Sequence, residues 1–307
     1  MLFRSILRCL HECDPDIVYL NSFFNAPFSI ALLAARRLGL TSDRARWILA
    51  TRGEFSTGAL AIKALKKRAF MRLAAAVGLH RGLIWQATST EEAADILRQV
   101  DAAATAVRLA PNLTEPVGAY EPPASLAGAG KPLKVCFLSR VSRKKNVRFA
   151  IEVLRQTDRP TEFHVYGPAE DEAYTAECRA LGDTPGSKLS VLWHGDVAHE
   201  KVRSVLGQHH LFLLPTLGEN FGHAIFESMA AGVPVLISDK TPWRDIEIRG
   251  AGWARPLSAK SGFIEVVERV ADFSLAERED IARKAHAFAH DFWRSSSALS
   301  ANRALFQ

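Results

Sequence analysis

Short apolar runs alternate with helical patterns throughout the chain. Apolar positions recur at helical spacing over residues 2–10, so the chain is predicted to begin with a helix rather than a strand. Further helical patterns cover residues 28–38 and about 58–77, and another begins at Ser89. Four runs between these helices have the length of buried strands: residues 17–20, 47–50, 83–86 and 106–109. This alternation predicts an α/β domain.

The second half of the chain repeats the alternation more completely. A helical pattern also extends from about residue 274 to residue 306. Between the halves, residues 111–132 are rich in proline, glycine and alanine, which is typical of an interdomain linker. Six runs in this half are predicted strands: residues 133–139, 162–166, 189–193, 211–214, 233–237 and 251–254. The predicted segments are a first domain (1–111), a linker (112–132), a second domain (133–290) and a terminal helix (291–307).

The composition is that of an ordinary soluble globular protein, with 48% hydrophobic and 23% charged residues among 307. A net charge of +6 favours anionic partners such as phosphates, nucleic acid or a lipid surface, and charge alone does not choose among them. The four cysteines have neither zinc-type spacing nor the density of a disulfide framework, which predicts a reduced, cytoplasmic protein. The longest apolar-looking run, residues 26–35, is too short to span a bilayer, and the N-terminus lacks a cleavable signal layout.

The sequence contains no complete motif for a cofactor or metal site. The Gly128–Lys131 segment resembles part of a phosphate loop, but proline follows the lysine and the strand comes afterwards rather than before. The adjacent pair His209-His210 lacks the spacing of two metal ligands on a helix. The sequence also lacks the Gly-x-Gly-x-x-Gly fingerprint, which argues against a nicotinamide-dependent enzyme. No metal and no cofactor are therefore expected.

The strongest chemical signal lies in the loop and helix that follow the predicted strand at residues 211–214. Glu219 lies in the loop, and Glu227 lies about one turn into the helix. Carboxylates accept hydrogen bonds from neighbouring hydroxyls, and backbone N–H groups around residues 220–222 supply donors, so the stretch suits a ligand rich in hydroxyls. Gly222 allows close approach of the backbone to such a ligand. Alternatively, Glu219 caps the helix and Glu227 lies on its solvated face.

A second candidate site is the cationic loop after the predicted strand at residues 133–139. Residues 140–146 contain Arg140, Arg143, Lys144 and Lys145 just before a predicted helix. Helix N-termini favour anions, and arginine and lysine side chains complete a site for pyrophosphate. In isolation the same loop also fits a solvated basic turn. His194, at the end of another strand, either faces a bound base or is a hydrogen-bonded polar residue without a ligand.

Together these motifs resemble the donor site of retaining GT-B glycosyltransferases of the bacterial cell-surface polysaccharide type, which carry two glutamates separated by seven residues. The match extends from Glu219-Asn220-Phe221-Gly222 through Glu227 to Gly232-Val233-Pro234. The first half also has counterparts in bacterial members, at residues 15–24, 51–60 and 87–97. The resemblance implies a GT-B-like α/β fold with two Rossmann-like domains, and a terminal helix that folds back onto the first.

The resemblance implies roles for individual residues. Arg140 and Lys145 match an arginine and a lysine that bind the donor diphosphate, so both are expected to stabilise the departing group. Glu219, with Asn220, Phe221 and Gly222, is expected to hold the donor sugar, and Glu227 the ribose. The expected reaction is transfer from a nucleotide-sugar donor to a glycan or lipid-linked acceptor with retention, without metal and without nucleic acid as a partner. The alternative is a non-catalytic nucleotide-sugar-binding remnant that acts with a partner protein.

The first domain departs from the family pattern. Neither an opening strand nor a glycine-rich turn precedes the strand at residues 17–20, so this domain is predicted to be shortened at its N-terminus. The chain is accordingly expected to bind a nucleotide diphosphate but to transfer sugar poorly. Asn21 stands in the region where the family usually has a histidine. The helical region at about 58–77 also combines basic and apolar residues. This combination suits either the inner face of the cell membrane or an ordinary solvated helix packed on the core.

Overall fold

The computed structural model describes residues 2–42, 44–61, 63–100, 106–127, 132–184 and 186–307. The chain divides into two compact units. Unit 1 comprises Met1–Leu113 and Ser297–Gln307, and unit 2 comprises Thr114–Ser296. The Gly128–Lys131 segment, which resembles part of a phosphate loop in sequence, lies outside the described residues.

Unit 1 is built on a parallel sheet whose strands follow one another in chain order. Among its described residues the strands are β1 (Ile17–Asn21), β2 (Arg46–Ala50), β3 (Ile84–Ala87) and β4 (Val107–Leu109). Parallel neighbours require crossover connections, and helices provide them. The helices of this unit are α1 (Leu2–Cys13), α2 (Ala31–Arg37), α3 (Thr57–Ala61), α4 (Ala64–Ala76), α5 (Thr90–Gln99) and α12 (Ala298–Phe306).

Two predicted helices of unit 1 are interrupted in the structure. A π-helical turn, Ala26–Ile30, precedes α2 where a single helix over residues 28–38 was expected. This turn begins at Asn25, whose side-chain Oδ1 accepts a hydrogen bond from the Phe28 amide at 3.1 Å. The region at 58–77 forms α3 and α4 rather than one helix. Lys63, immediately before α4, has φ +55°, and a right-handed helix does not continue through a left-handed residue.

Side chains alternate between the two faces of the unit 1 sheet, as the period of a strand requires. On one face, Val18, Leu49 and Trp85 belong to the main apolar cluster of the unit. On the other face, Ile48 packs in a smaller cluster with Leu305 of α12. Both faces of the sheet are therefore covered, as is usual for parallel sheets.

Unit 2 contains the larger parallel sheet, with the strand order β10-β9-β8-β5-β6-β7. Its strands, within the described ranges, are β5 (Leu133–Leu138), β6 (Thr161–Tyr166), β7 (Leu189–Gly195), β8 (Leu211–Leu214), β9 (Val235–Ser238) and β10 (Gly252–Arg255). Its α-helices are α6 (Val147–Leu154), α7 (Glu172–Gly182), α8 (Val202–Leu206), α9 (His223–Ala230), α10 (Lys260–Ala271) and α11 (Leu275–Ser295). Two 3₁₀ turns, Ala124–Ala127 and His199–Lys201, complete the regular structure.

Burial and local signals explain these elements. Every residue of β8 and β9 is buried, which is why β8 and the first three residues of β9 read as apolar runs. Helix α11 begins with a capping box in which the side chains of Ser274 and Glu277 satisfy each other's backbone amides. Val117, from the segment rich in proline and glycine, is 5% exposed in the core of unit 2. The predicted α/β architecture with two parallel sheets is confirmed.

Candidate functional site

The candidate site lies where the strand order of unit 2 reverses direction. From β5 the chain proceeds to β6 and β7 on one side, and β8, β9 and β10 then build outwards from the other side of β5. Loops that leave neighbouring parallel strands at such a switch point diverge and leave a crevice at the carboxyl edge of the sheet, where α/β proteins bind ligands. The two loops at this switch point are residues 139–146, after β5, and residues 215–222, after β8. They are the two loops that the sequence marks as candidate sites.

Hydrogen bonds join these two loops. The amide of Leu217 donates to the Lys144 carbonyl at 2.8 Å, and the Thr216 hydroxyl donates to the same carbonyl at 3.1 Å. The side-chain amide of Asn146 donates to the Pro215 carbonyl at 3.0 Å. Asn146 has φ +62° and directly precedes α6, so it also turns the chain into that helix. The loops therefore form one structure rather than two independent turns.

An ion pair connects the two predicted binding motifs. The Nζ atom of Lys145 lies 2.6 Å from Oε1 of Glu219, and the two side chains are only 12% and 8% exposed. Glu219 thus contacts the cationic loop, while the N-cap position of α9 is taken by Gly222 without a side-chain cap. The alternative in which Glu219 caps the helix is wrong for this structure. The sequence placed Lys145 and Glu219 in separate motifs, and only the pairing of β5 with β8 brings them together.

Arg140 lies at the exposed end of the same loop. Its Nη1 atom is 2.5 Å from Oε1 of Glu170, and the side chains are 60% and 45% exposed. Exposed pairs of this kind contribute little stability, so a ligand can displace Glu170 from Arg140 without a large loss. Burial lowers the pKa of Lys144, and the neighbouring cations Lys145 and Arg140 act in the same direction, against Glu219. The loop therefore concentrates positive charge beside the N-terminus of α6.

Glu227 lies in the second turn of α9 and is partly buried. Burial raises its pKa above the ordinary value, and the Glu115 carboxylate acts in the same direction, although His199 opposes both. Among the described residues, no side chain or amide forms a hydrogen bond or ion pair with the Glu227 carboxylate. A half-buried carboxylate without such partners has unused capacity to accept hydrogen bonds.

The backbone of the loop before α9 is held in a conformation that glycine favours. Gly222 has φ +83°, and a Cβ atom at this position would lie 2.8 Å from Cδ1 of Ile225. Asn220 and Phe221 precede it and are partly exposed. The indole Nε1 of Trp243 donates to the Phe221 carbonyl at 2.5 Å, which fixes the loop from the far side.

Sequence reasoning missed several residues that shape this edge of the sheet. Ser238, at the end of β9, donates to the Thr216 carbonyl at 2.6 Å. Gly167, after β6, has φ +125°, and a Cβ atom there would lie 2.1 Å from the carbonyl oxygen of Ser139. Any larger residue at 167 would therefore displace the backbone next to Arg140. Small or polar residues that directly follow buried strands are the signal that could have identified these positions.

Four histidines of unit 2 are hydrogen-bonded to one another or to the backbone. Nε2 of His194 lies 3.0 Å from Nδ1 of His164, and its ring stacks on Tyr166 at 4.4 Å. His209 is hydrogen-bonded to the Val205 carbonyl, and Nδ1 of His210 accepts from the Lys134 amide at 2.9 Å. Burial lowers the pKa of both adjacent histidines to about 4. The structure therefore fits the alternative in which His194 is a hydrogen-bonded polar residue without a ligand.

The described residues contain neither a metal-binding cluster nor a helix that could cross a membrane. No group of three or more histidine, cysteine, aspartate or glutamate side chains in the described ranges is placed to hold a metal ion. None of the helices in this part of the chain combines the length and the apolar character that a membrane crossing needs.

The fold of this chain is similar to that of several solved proteins. The HepE protein (Alr3699) of Anabaena, solved in complex with UDP-glucose, aligns with a TM-score of 0.75 at 16% identity, over 98% of this chain and 80% of its own. WaaG, a glycosyltransferase involved in lipopolysaccharide biosynthesis, aligns with a TM-score of 0.69 at 15% identity, over 99% of this chain and 94% of its own. Sucrose-phosphate synthase from Thermosynechococcus elongatus aligns with a TM-score of 0.73 at 17% identity, over 99% of this chain and 76% of its own. The similarity to these glycosyltransferase structures confirms the predicted GT-B-like fold.

The sequence comparisons are narrower. No curated protein matches the chain. The family model described as "Glycosyl transferases group 1" matches residues 122–285, which is more than half of the 307 residues and includes both loops of the candidate site. The chain therefore belongs to the group 1 glycosyl transferases.

Proposed function

We propose that this protein transfers a sugar from a nucleotide-sugar donor to a glycan or lipid-linked acceptor, with retention at the anomeric carbon, in the synthesis of a cell-surface polysaccharide. One observation carries the proposal: the 2.6 Å contact between Lys145 and Glu219 at the switch point of the unit 2 sheet. It joins a cationic loop suited to a diphosphate to a loop suited to sugar hydroxyls. A nucleotide sugar is a ligand that carries both groups.

The diphosphate is assigned to the loop after β5. Arg140 offers a planar guanidinium that can donate two hydrogen bonds to phosphate oxygens, and Lys145 offers a compact ammonium. The backbone amides at the start of α6 add to the positive potential. As the bond to the sugar breaks, negative charge builds on the diphosphate, so these two cations stabilise the transition state more than the ground state. The proposed reaction therefore needs no metal, and transfer is expected to persist in EDTA.

The sugar and the ribose are assigned to the loop and helix after β8. Glu219 and the amides near Asn220, Phe221 and Gly222 would bind the sugar hydroxyls. The carboxylate of Glu227, which has no hydrogen-bond partner among the described residues, would accept hydrogen bonds from both hydroxyls of the ribose. The complex of the similarly folded HepE with UDP-glucose supports a nucleotide-sugar donor. Retention is proposed from the resemblance of the two-glutamate motif. The similarity to WaaG supports a cell-envelope acceptor.

The function is tested by incubating the purified chain with radiolabelled UDP-, GDP- and ADP-sugars and a bacterial membrane extract. We expect label to enter the glycan or lipid fraction from one donor class, in the presence of EDTA. Nuclear magnetic resonance of the product should show the anomeric configuration of the donor. Donor binding without any transfer would leave only a binding protein, and an inverted product would overturn retention.

Removing either end of the donor site should weaken nucleotide binding. Arg140→Ala and Glu227→Ala are each expected to lower the affinity for the matching nucleoside diphosphate by roughly tenfold or more, since a hydrogen bond to a charged group is worth ~1.5–3 kcal/mol. Isothermal titration calorimetry measures the change. Arg179→Ala, on α7, is the control and should bind as the native chain does. Native affinity in both site variants would refute the assignment.

We further propose a cytoplasmic location at the inner face of the cell membrane, with α4 as the contact surface. The four cysteines are free thiols, as a reducing compartment favours. On α4, Leu65 is 81% exposed and Leu73 is 62% exposed, beside the exposed cations Lys66, Arg68 and Arg72. Apolar side chains that insert among lipid tails and cations that bind anionic headgroups are the two components of peripheral binding. A lipid-linked acceptor would be reached from this position.

Vesicle sedimentation tests the membrane proposal. We expect the chain to pellet with anionic vesicles at low salt, less at moderate salt, and little with neutral vesicles. The variant Leu65→Ser/Leu73→Ser should remain in the supernatant. Leu97→Ser, which changes a leucine of α5 that is 42% exposed, should sediment like the native chain. Equal recovery of the native chain in the supernatant with both lipids would reject surface binding.

A further inference from the structure

An arginine at the carboxyl edge of the unit 1 sheet is built into a hydrogen-bonded site that the proposed donor chemistry does not use. Arg52 follows β2, and three neutral oxygens accept hydrogen bonds from its guanidinium. They are Oδ1 of Asn21 at 2.9 Å, Oδ1 of Asn112 at 2.8 Å and the Tyr19 hydroxyl at 2.8 Å. Asn21 ends β1, and Asn112 follows β4, so three strands of the sheet position this single cation.

The charge of Arg52 is not neutralised within the described part of the chain. No carboxylate there lies within ion-pair distance of its guanidinium. The two glutamates nearest in the network are occupied elsewhere. Glu54 accepts from the Ser22 hydroxyl at 2.6 Å and from the Phe23 amide at 2.5 Å. Glu92, only 3% exposed, accepts from the Thr51 hydroxyl at 2.7 Å and from the Gly53 amide at 2.6 Å.

The backbone around Arg52 is also constrained. Arg52 has φ +52° and Ser22 has φ +77°, and both lie in the left-handed region that non-glycine residues rarely adopt. Glu92 holds the residues on both sides of Arg52, while Glu54 holds the loop after β1. Strained backbone that surrounding hydrogen bonds over-determine is concentrated at binding and catalytic sites.

The polar groups that remain at this site are donors. A guanidinium has five N–H groups, of which the three oxygens take three, so two are left. The Oδ1 atoms of Asn21 and Asn112 accept from Arg52, and no described residue accepts a hydrogen bond from the NH₂ groups of these two side chains, which remain as donors. The Tyr19 hydroxyl donates to Oε1 of Gln86 at 2.5 Å and is therefore used as both donor and acceptor. The hydrogen-bonding capacity left at this cation is thus donor capacity, which matches a ligand that only accepts hydrogen bonds.

We infer that Arg52, Asn21 and Asn112 form an oxyanion site in unit 1, and that its ligand is a phosphate group of the acceptor substrate. A phosphate oxyanion has several acceptor oxygens and no donor, and arginine binds it through two N–H groups at once. The assignment of this phosphate to the acceptor rests on the proposed function, whereas the binding of phosphate at Arg52 does not. The acceptor class is thus a phosphate-bearing one, such as a glycan or lipid linked through phosphate or diphosphate.

Titration of the full chain with a short alkyl diphosphate tests the site. The measurement is made in the Arg140→Ala variant and repeated in the native chain with saturating nucleoside diphosphate, so that phosphate bound in unit 2 is not counted. We expect Arg52→Gln to weaken alkyl diphosphate binding at least tenfold and Arg52→Lys to weaken it less. Arg98→Gln, which removes an exposed arginine of α5, should have no effect. Thermal melting checks that each variant is folded, and Arg52→Lys keeps the test decisive if Arg52→Gln does not fold.

The outcomes separate this inference from the proposed function. Native-like binding in both Arg52 variants would overturn the site, as would equal or tighter binding of an alkyl carboxylate of the same length. Inorganic phosphate that binds as tightly as the alkyl diphosphate would overturn the assignment to an acceptor. If Arg52-dependent binding of alkyl diphosphate is found in a chain that binds no nucleotide, the oxyanion site stands and the proposed donor site fails.

Discussion

Replacing Lys145 with methionine is expected to lower the rate of sugar transfer by roughly 10²–10³-fold, the usual effect of removing one preorganised electrostatic contact from a transition state. Lys145 is the cation that contacts the sugar loop directly, through Glu219 at 2.6 Å. Its loss removes charge from beside the departing diphosphate and also frees Glu219 to move. Steady-state rates with the preferred donor measure the effect. A Lys145→Met variant that transfers at the native rate would show that the pair is only structural.

The same pair allows activity and stability to be separated. Each side chain is about nine-tenths buried, so Lys145→Met leaves Glu219 as an unpaired buried charge and is expected to destabilise unit 2 by about 3 kcal/mol. Adding Glu219→Leu removes that charge, and apolar replacement of a whole buried pair is often neutral. We therefore expect the double variant to recover most of the free energy of unfolding but none of the activity. Denaturant unfolding measures the recovery, and additive losses of stability would contradict the argument.

Glu92→Ala should destabilise unit 1 by about 3 kcal/mol or more. This carboxylate is 3% exposed and accepts hydrogen bonds from the Thr51 hydroxyl, the Gly53 amide, and both the amide and hydroxyl of Thr88. Hydrogen bonds to a charged group contribute ~1.5–3 kcal/mol, and removal of the Glu92 carboxylate leaves buried donors unsatisfied. Chemical denaturation is the measurement. Glu91→Ala, which changes the exposed neighbour on α5, is the matched control.

Acidification should reproduce part of the loss of stability expected for Glu92→Ala. Burial acts to raise the pKa of Glu92, but the hydrogen bonds from Thr51, Thr88 and Gly53 outweigh it and hold the pKa below its ordinary value of 4.5. A depressed folded-state pKa contributes stability that is fully present above the unfolded value of 4.5 and is lost as the pH falls towards the folded value. The native chain should therefore lose more stability below pH 4.5 than Glu92→Ala does. Parallel losses in the two proteins would contradict the prediction.

The regular elements were predictable because burial leaves a direct mark on the sequence. Strands β8 and β9 are covered on both faces, so each appears as an unbroken apolar run bounded by proline or polar residues. The caps at Ser89 and Ser274 follow from a short-range hydrogen bond to the residue three positions later. The break at Lys63 was not predictable in the same way, because nothing in the local pattern of residues favours a left-handed lysine there.

The contacts that define the sites depend on strand order, which local patterns do not contain. Lys145 and Glu219 are 74 positions apart and meet because β5 pairs with β8 rather than with β7. Arg52 likewise meets Asn112 at a separation of 60 positions. The two-glutamate motif and the cationic loop could be found separately through residue type and spacing. Their ion pair, the partial burial of Glu227 and the oxygens around Arg52 depend on how the strands are arranged in space.

The inclusion of α12 in unit 1 sets the order in which the chain can fold during synthesis. Residues 1–113 leave the ribosome first, but Leu305, which covers the face of the sheet at Ile48, follows only after all of Thr114–Ser296. At typical elongation rates that delay is roughly 10–40 s. During this interval the nascent first sheet keeps one apolar face open, while unit 2 can already complete its own core. The unit made first is therefore the one that finishes folding last, and chaperone binding during translation is expected at its uncovered face.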